Sequence, residues 1–91
     1  MIKSWKHKEL RRLFNTGHSR INRNHHAKCL RILDALDAAI DVQDINIPSY
    51  DFHGLTGFKP KRYTTHVNGN YCITFEFEDG HAFNVHYEDY H

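Results

Sequence analysis

The run "HYEDYH" at residues 86–91 places six ionisable side chains in a row. Histidine exchanges protons near neutral pH, and carboxylates and phenols also act as general acids or bases, so Asp89, Tyr90 and His91 are candidate catalytic residues. His53, in the segment "SYDFHGL", would add a second imidazole. Such a set suits RNA cleavage, in which a base takes the 2′-hydroxyl proton, an acid protonates the leaving 5′-oxygen and cations hold the phosphate. The alternatives are a solvated tail and a structural histidine.

The basic residues are unevenly distributed along the chain. Residues 1–31 hold nine Lys or Arg residues and one acid, Glu9, for a net charge of +8, although the whole chain carries +1. Residues 32–58 hold five acids and no Lys or Arg, and a second basic cluster follows them. This segregation indicates either a face that meets polyphosphate or an ordinary solvated helix face. The candidate RNA-binding cations are Lys6, Lys8, Arg11, Arg12, Lys59, Lys61 and Arg62.

The composition is typical of a small folded protein. With 91 residues, of which 40% are hydrophobic and 13% aromatic, the chain is long enough for one domain over residues 1–91. Charges interrupt every apolar stretch, which argues against a membrane span, and the first residues lack the apolar core of a signal peptide. We therefore expect a cytoplasmic protein whose Cys29 and Cys72 are free thiols.

Hydrophobic periodicity predicts two helices in the first half of the chain. A helix over 5–16 would begin after Ser4 as its N-cap and end at Gly17. A second helix over 25–40 would follow Asn24 as its N-cap. Its buried stripe would consist of Cys29, Leu33, Leu36 and Ile40, which recur at i, i+4, i+7 and i+11.

Two other segments carry weaker signals. Residues 1–3 could form a short edge strand. Residues 41–60 show no period and are interrupted by proline and glycine, so they read as an irregular connector.

In the second half the apolar period changes to two, which predicts antiparallel strands with one covered face. Keeping the odd-numbered apolar residues on that face requires three-residue turns at 68–70 and 78–80. The fold class is therefore α+β, with the two N-terminal helices packed on the odd-numbered face of an antiparallel sheet. The expected cross-strand pairs are Val67 with Tyr71, Phe75 with Phe83, and Tyr71 with Tyr87.

The even-numbered side chains form the opposite, polar face, where we expect a functional site. The predicted register places Thr64, Thr74 and Asn84 in one row, and His66, Cys72 and His86 in the next. A Cys with two His is a possible zinc set, since neighbouring strands hold side chains about 5 Å apart. No zinc-binding spacing supports this reading, and we predict no metal and no cofactor.

The same register extends to the end of the last strand. Asp89 would lie beside Gly69, so Tyr90 and His91 would lie next to the turn that contains Asn70. The run "HYEDYH" is therefore expected to be anchored by a strand.

Four blocks of the chain, in order, resemble a known family. "MIKSWKHK", "HGLTG", "VNGNYCITFEFEDG" and "YEDYH" are similar to HigB-type toxins, the plasmid-maintenance killer branch of the RelE superfamily. The resemblance implies a compact RelE-like fold that enters the ribosomal A site and cuts mRNA during translation without a metal. It also implies neutralisation by a HigA-type helix-turn-helix antitoxin, with operator DNA bound only through the complex.

The resemblance also assigns residues. The family's catalytic set corresponds to His53, Asp89, Tyr90 and His91, and its codon-reading asparagine corresponds to Asn70. Its basic face, used against ribosomal RNA, corresponds to the basic first third of the chain.

Two positions depart from the family pattern. Thr56 stands where the family has a lysine, and Cys72 stands where it has an arginine. Losing one electrostatic contact to a transition state typically lowers the rate by about 10²–10³. The charge could instead come from the cluster of Lys59, Lys61 and Arg62, or the chain could be a weakened or inactive homologue that binds the ribosome or an antitoxin.

Overall fold

A computed structural model describes residues 1–89. Two helices are followed by two short 3-10 segments and a four-stranded antiparallel sheet with strand order β1-β2-β3-β4. The α+β prediction is confirmed, because apolar residues of both helices pack with those on one face of the sheet in a single buried cluster. The elements are α1 (Lys8–Thr16), α2 (Arg23–Ala38), 3-10 segments at Val42–Ile45 and Pro48–Tyr50, β1 (His53–Leu55), β2 (Arg62–His66), β3 (Tyr71–Glu78) and β4 (His81–Asp89).

Helix α1 begins three residues later than predicted. His7 is the N-cap, and its Nδ1 accepts the backbone N–H of Leu10 at 3.1 Å. The predicted cap, Ser4, is wrong, because its hydroxyl instead accepts the N–H of Asn84 at 2.8 Å. The helix ends as predicted at Gly17, which takes the left-handed conformation (φ 77°) that favours glycine.

Helix α2 begins and ends two residues earlier than predicted. Asn22, not Asn24, is the N-cap, and its side chain accepts the N–H of Asn24 at 2.9 Å. Ile40 lies beyond the helix and is 82% exposed, so its predicted place on the buried stripe is wrong. None of the helices in residues 1–89 is both long enough and apolar enough to cross a membrane.

The sheet contains four strands, one more than the three that the alternating pattern predicts. Residues 53–55, within the predicted connector, form β1 and pair with β2, so that His53 lies opposite Thr64. The predicted edge strand at residues 1–3 is reduced to isolated parallel bridges, Ile2 with Ala82 and Trp5 with Val85.

The β2–β3 register is confirmed. Thr64 pairs with Thr74 and His66 with Cys72. The N–H of Val67 donates to the carbonyl of Tyr71 at 2.9 Å, which closes the three-residue turn at 68–70.

The predicted β3–β4 register is wrong, because Phe83 pairs with Glu76 and Tyr87 pairs with Ile73. The turn contains two residues, Asp79 and Gly80, with φ values of 52° and 80°, as a type I′ turn requires. An irregularity then inserts one extra residue into β4, where Asn84 adopts a φ of 51°. Ala82 and Val85 therefore face the core, whereas Phe83 pairs with Glu76 on the polar face.

These shifts change the rows of the polar face. Thr74 pairs with His86 instead of Asn84, and Cys72 pairs with Glu88 instead of His86. The predicted row of His66, Cys72 and His86 is therefore not formed. Asp89 pairs with Tyr71 and does not reach Gly69.

Candidate functional site

The polar face of the sheet is organised around Arg62, the first residue of β2. Its Nη2 donates to the Thr74 hydroxyl at 2.8 Å, and its Nη1 lies 3.2 Å from Oε2 of Glu76. A carboxylate oxygen of Glu88 lies 4.0 Å from Nη2. The Arg62 side chain is only 12% exposed, so this guanidinium lies along the sheet with its planar group bound to neighbouring strands.

The partners of Arg62 are themselves connected. Thr74, which accepts from the guanidinium, donates its own hydroxyl proton to Glu88. Asn84 donates its side-chain N–H to Glu76 at 3.1 Å. The cation therefore lies between two carboxylates, and its charge is largely neutralised in the unbound protein.

A polar cleft of about 350 Å³ adjoins this network. Arg62, Glu76 and Glu88 line one part of it. Two further cations, Lys6 and Lys59, and the exposed ring of Phe58 line the rest of the cleft, together with Leu55 and Pro60. The cleft thus combines positive charge with an apolar surface large enough to contact a planar ring.

His53 lies on the same face because its strand partner is Thr64. Its Nδ1 lies 3.0 Å from the backbone carbonyl of Asp51, which can only accept, so Nδ1 carries the proton and Nε2 has the free lone pair in the neutral ring. Its ring centroid lies 5.9 Å from that of His66, whose Nδ1 is 3.4 Å from a carboxylate oxygen of Asp51. The structure therefore brings His53 together with His66 and Asp51, two residues that the sequence did not single out as partners.

The two positions that depart from the family pattern are uncharged. Cys72 is buried, and desolvation raises the pKa of its thiol; the nearby Thr64 hydroxyl acts in the opposite direction, while the charges of Glu88 and Asp89 raise the pKa further. Thr56 is exposed in the turn after β1. Neither side chain supplies a cation at this face.

His86 takes the place on the polar face that the sequence had assigned to Asn84. Burial lowers the pKa of its imidazole most, and the positive charges of Lys6 and Arg62 act in the same direction, whereas Glu88 raises it. Its Nδ1 is buried without a hydrogen-bond partner within residues 1–89.

The predicted catalytic set is only partly visible. Asp89 is exposed at the end of β4, opposite Tyr71, and by strand alternation it points away from the face that carries Glu88. Tyr90 and His91 lie outside the described residues. Within residues 1–89, no group of three or more His, Cys, Asp or Glu side chains could hold a metal ion.

Asn70 lies in the β2–β3 turn, where it is exposed. The turn is held by Asn68, whose side-chain oxygen accepts the backbone N–H groups of Asn70 and Tyr71 at 2.7 and 2.9 Å. The amide nitrogen of Asn68 donates to Nε2 of His25 at 2.7 Å, and Nδ1 of His25 lies 2.5 Å from the Tyr87 hydroxyl. The turn is thereby tied to the start of α2.

The predicted RNA-binding cations do not share one surface. Lys6 and Lys59 line the cleft with Arg62, but the Lys61 ammonium lies 5.4 Å from the centroid of the Tyr63 ring on the opposite face. Three further cations, Lys8, Arg11 and Arg12, are exposed on α1.

Several residues of the site were missed in the sequence. The cross-strand pair of Arg62 and Glu76 follows from the β2–β3 register, which was predicted, so alternation alone could have found it. Glu88 could not have been placed without the extra residue in β4. Asp51 lies near His66 and has a left-handed backbone conformation (φ 48°), which the pattern of apolar residues in the sequence does not predict.

Two helices on one face of a four-stranded antiparallel sheet, with the polar residues gathered on the other, define a RelE-like α+β fold. Residues 3–91 match the family described as the RelE-like toxin of type II toxin-antitoxin system HigB. The chain is 37% identical over 92 residues to Endoribonuclease HigB of Proteus vulgaris, and the match covers 100% of both chains. This protein therefore belongs to the HigB-like toxins of type II toxin–antitoxin systems, a family that implies an antitoxin partner.

Proposed function

We propose that this protein is a ribosome-dependent endoribonuclease that cuts mRNA in the A site of the 70S ribosome and so inhibits translation in the cytoplasm. Its activity is neutralised by a HigA-type helix-turn-helix antitoxin, and the complex binds operator DNA through the antitoxin. The full-length similarity to an endoribonuclease supports the reaction class. The observation that carries the proposal is the position of His53 on the polar face: its Nδ1 is engaged by the backbone carbonyl of Asp51, and its Nε2, which could exchange a proton, makes no hydrogen bond within residues 1–89.

In this proposal the 2′-oxygen attacks the adjacent phosphorus, the bond to the 5′-oxygen breaks, and a cyclic phosphate forms. His53, Asp89 and His91 share the tasks of removing the 2′-hydroxyl proton and protonating the leaving 5′-oxygen. Tyr90 stacks on an unpaired base, and Asn70 contacts the codon from the β2–β3 turn, whose backbone is hydrogen-bonded by Asn68. No metal takes part.

Arg62 supplies the phosphate-binding charge that Cys72 and Thr56 lack. Three cations could replace the two family cations that are absent at Thr56 and Cys72. Arg62 lies on the polar face, Lys59 lines the cleft beside it, and Lys61 lies on the other face. A guanidinium binds phosphate oxygens through two parallel N–H donors. An RNA phosphate must compete with Glu88, which is 40% exposed and makes the longest of the contacts to Arg62.

The rival function is a binding module without nuclease activity. It is favoured by the neutral side chains of Cys72 and Thr56 and by the two carboxylates that already engage Arg62. Such a module would occupy the ribosome or an antitoxin without cutting RNA.

Expression of the chain without an antitoxin, with mapping of mRNA 5′ ends, distinguishes the two functions. We expect growth arrest and new 5′ ends within codons, both abolished by His53→Ala and by His91→Ala. The exposed Asp34, on α2, offers a control, and Asp34→Ala should behave as the unmodified protein. Arrest that persists in both histidine variants, with no new 5′ ends, would establish the binding module instead.

A further inference from the structure

A second imidazole, that of His66, lies beside His53 on the polar face of the sheet. His66 follows Thr64, the strand partner of His53, by two positions, so its side chain points to the same face. The two ring centroids are 5.9 Å apart, and the ring planes are inclined by 59°. The His66 side chain is 20% exposed, so part of its surface is accessible to a ligand. The proton transfers proposed for His53, Asp89 and His91 give His66 no task.

Asp51 contacts both imidazoles from the segment before β1. Its backbone carbonyl accepts the Nδ1–H of His53 at 3.0 Å, and one of its carboxylate oxygens lies 3.4 Å from Nδ1 of His66. Its left-handed backbone (φ 48°) directly follows the 3-10 segment Pro48–Tyr50. One residue therefore fixes the orientation of both rings, each through its Nδ1.

The sheet row that contains His66 carries no Lys or Arg side chain within residues 1–89. The strand partner of His66 is Cys72, which is buried and uncharged, and Glu88 lies opposite Cys72 on the far side. The titratable groups around His66 are therefore His53 on β1, Asp51 before it, the Cys72 thiol on β3, and the carboxylates at the end of β4, Glu88 and Asp89. A protonated imidazole at His66 would be the cation of this row.

The reaction at His53 brings a phosphate within reach of His66. Whether His53 removes one proton or delivers the other, its Nε2 must lie within about 3 Å of a reacting oxygen. That oxygen is bonded to the phosphorus or lies about 3–3.5 Å from it before attack. The oxygens of the same phosphate can therefore contact a ring whose centroid is 5.9 Å from that of His53.

We propose that His66, held by Asp51, binds the scissile phosphate in its protonated form and so supplies the positive charge that its sheet row otherwise lacks. His66 keeps its proton throughout the reaction, and its charge stabilises the negative charge that develops on the phosphate oxygens. The inference rests on the proposed function, which places the phosphate next to His53.

The Asp51 carboxylate does not cancel the charge of a protonated His66. The Asp51 side chain is 68% exposed, so its attraction is screened by water, whereas Glu76, which holds Arg62, is only 17% exposed. A phosphate displaces such an exposed partner at little cost. Because imidazole loses its proton near neutral pH, the contribution of His66 falls as the pH rises, unlike that of the Arg62 guanidinium.

The first test compares three variants in mRNA cleavage. His66→Gln removes the imidazole but keeps a hydrogen-bonding side chain. His81→Gln is the matched control, because His81 pairs with Glu78, six residues from Cys72 along β3 and so about 20 Å from the row of His66. The double variant His66→Gln/Cys72→Arg restores a permanent cation to the row. Single-turnover cleavage on programmed ribosomes is measured from pH 6.0 to 8.5, and circular dichroism checks folding.

We expect His66→Gln to cut about 10² more slowly than the control at pH 6.0 and within about threefold of it at pH 8.5, because the imidazole is protonated only at the lower pH. The double variant should recover part of the rate at pH 6.0 and exceed the unmodified protein at pH 8.5, since a guanidinium keeps its charge. A loss by the same factor at every pH, without recovery in the double variant, would indicate a structural role and overturn the inference. A rate at pH 6.0 equal to that of the control would also overturn it.

RNA binding gives a second readout that does not depend on cleavage. A fluorescent twelve-nucleotide RNA with 2′-O-methyl groups, which cannot be cut, is titrated by anisotropy from 50 to 200 mM salt. One phosphate contact contributes about 0.7 to the slope of log affinity against log salt for single strands, so the slope of the unmodified protein should exceed that of His66→Gln by about 0.7 at pH 6.0 and equal it at pH 8.5. Equal slopes at both pH values would overturn the inference. Absence of cleavage by the unmodified protein would instead refute the proposed function, because the slopes do not depend on that activity.

Discussion

Arg62→Gln tests whether the cation of the polar face takes part in catalysis. The substitution keeps a hydrogen-bonding side chain next to Thr74 but removes the positive charge between Glu76 and Glu88. If Arg62 binds the phosphate in the transition state, its loss lowers the single-turnover rate of mRNA cleavage by about 10²–10³. Lys61→Gln is the matched control, since it removes the same charge from the opposite face of the sheet.

Arg62→Gln should also lower the free energy of unfolding, and the size of this loss can be estimated from the contacts of Arg62. The Arg62 and Glu76 side chains are 12% and 17% exposed, so their charge-assisted hydrogen bond is only weakly screened. Such a bond contributes about 1.5–3 kcal/mol, and the exposed Glu88 adds little. We expect a loss of about 1–2 kcal/mol in the free energy of unfolding, which lowers Tm by roughly 5–15 °C for a domain of this size.

The assay must separate these effects. Cleavage of mRNA on programmed ribosomes is measured at 20 °C, with circular dichroism as the check that each variant is folded. The double variant Arg62→Gln/Cys72→Arg restores a guanidinium beside Glu88 and should recover part of the lost rate, which a purely structural role for Arg62 does not predict. A folded Arg62→Gln protein that cuts within threefold of the Lys61→Gln rate would refute the reasoning.

Three further predictions follow from individual contacts. If an RNA phosphate competes with Glu88 for Arg62, as the proposed function requires, Glu88→Gln should raise RNA affinity at 100 mM salt several-fold by anisotropy; unchanged affinity would count against the competition. Asn84 has a positive φ, so Asn84→Val should lower the free energy of unfolding by about 1–2 kcal/mol in urea titrations, whereas Asn84→Gly should not. Burial raises the pKa of Cys29 to about 12, so stability is fully present below pH 9 and falls as pH rises toward 12. Cys29→Ala should weaken that dependence in urea titrations between pH 8 and 10.5, and an unchanged slope would contradict it.

The sequence predicted the parts of the fold that depend on local periodicity. Helix periodicity identified α1 and α2 because each buries one apolar stripe, and alternation identified β3 and its partner β2. The start of α1 was displaced because Trp5 bridges Val85 and packs against Phe14, with ring centroids 5.6 Å apart. That contact joins residues far apart in the chain, so no local signal records it.

The candidate site was less predictable than the fold. His53 and Arg62 were both predicted as site residues. The position of His53 beside His66 was not predicted, because β1 has only three residues, too few to show an alternating pattern of apolar and polar side chains. The network around Arg62 depends on side chains from three strands. The contacts of Arg62 with Thr74 and Glu76 require only the β2–β3 register, which was predicted correctly, whereas its contact with Glu88 also requires the β3–β4 register, which was not.

The missed register has a single structural cause with a direct effect on the site. A two-residue turn at Asp79 and Gly80 and one extra residue at Asn84 replace the expected three-residue turn. Both arrangements leave Val85 and Tyr87 on the covered face, so hydrophobic patterning alone does not distinguish them. The polar face does distinguish them, because the observed register places Glu88 opposite Cys72 and within 4.0 Å of Arg62. The Asn84 conformation therefore determines which carboxylate of β4 lies beside Arg62. If Arg62 binds phosphate as proposed, a substitution of Asn84 should change RNA affinity as well as stability.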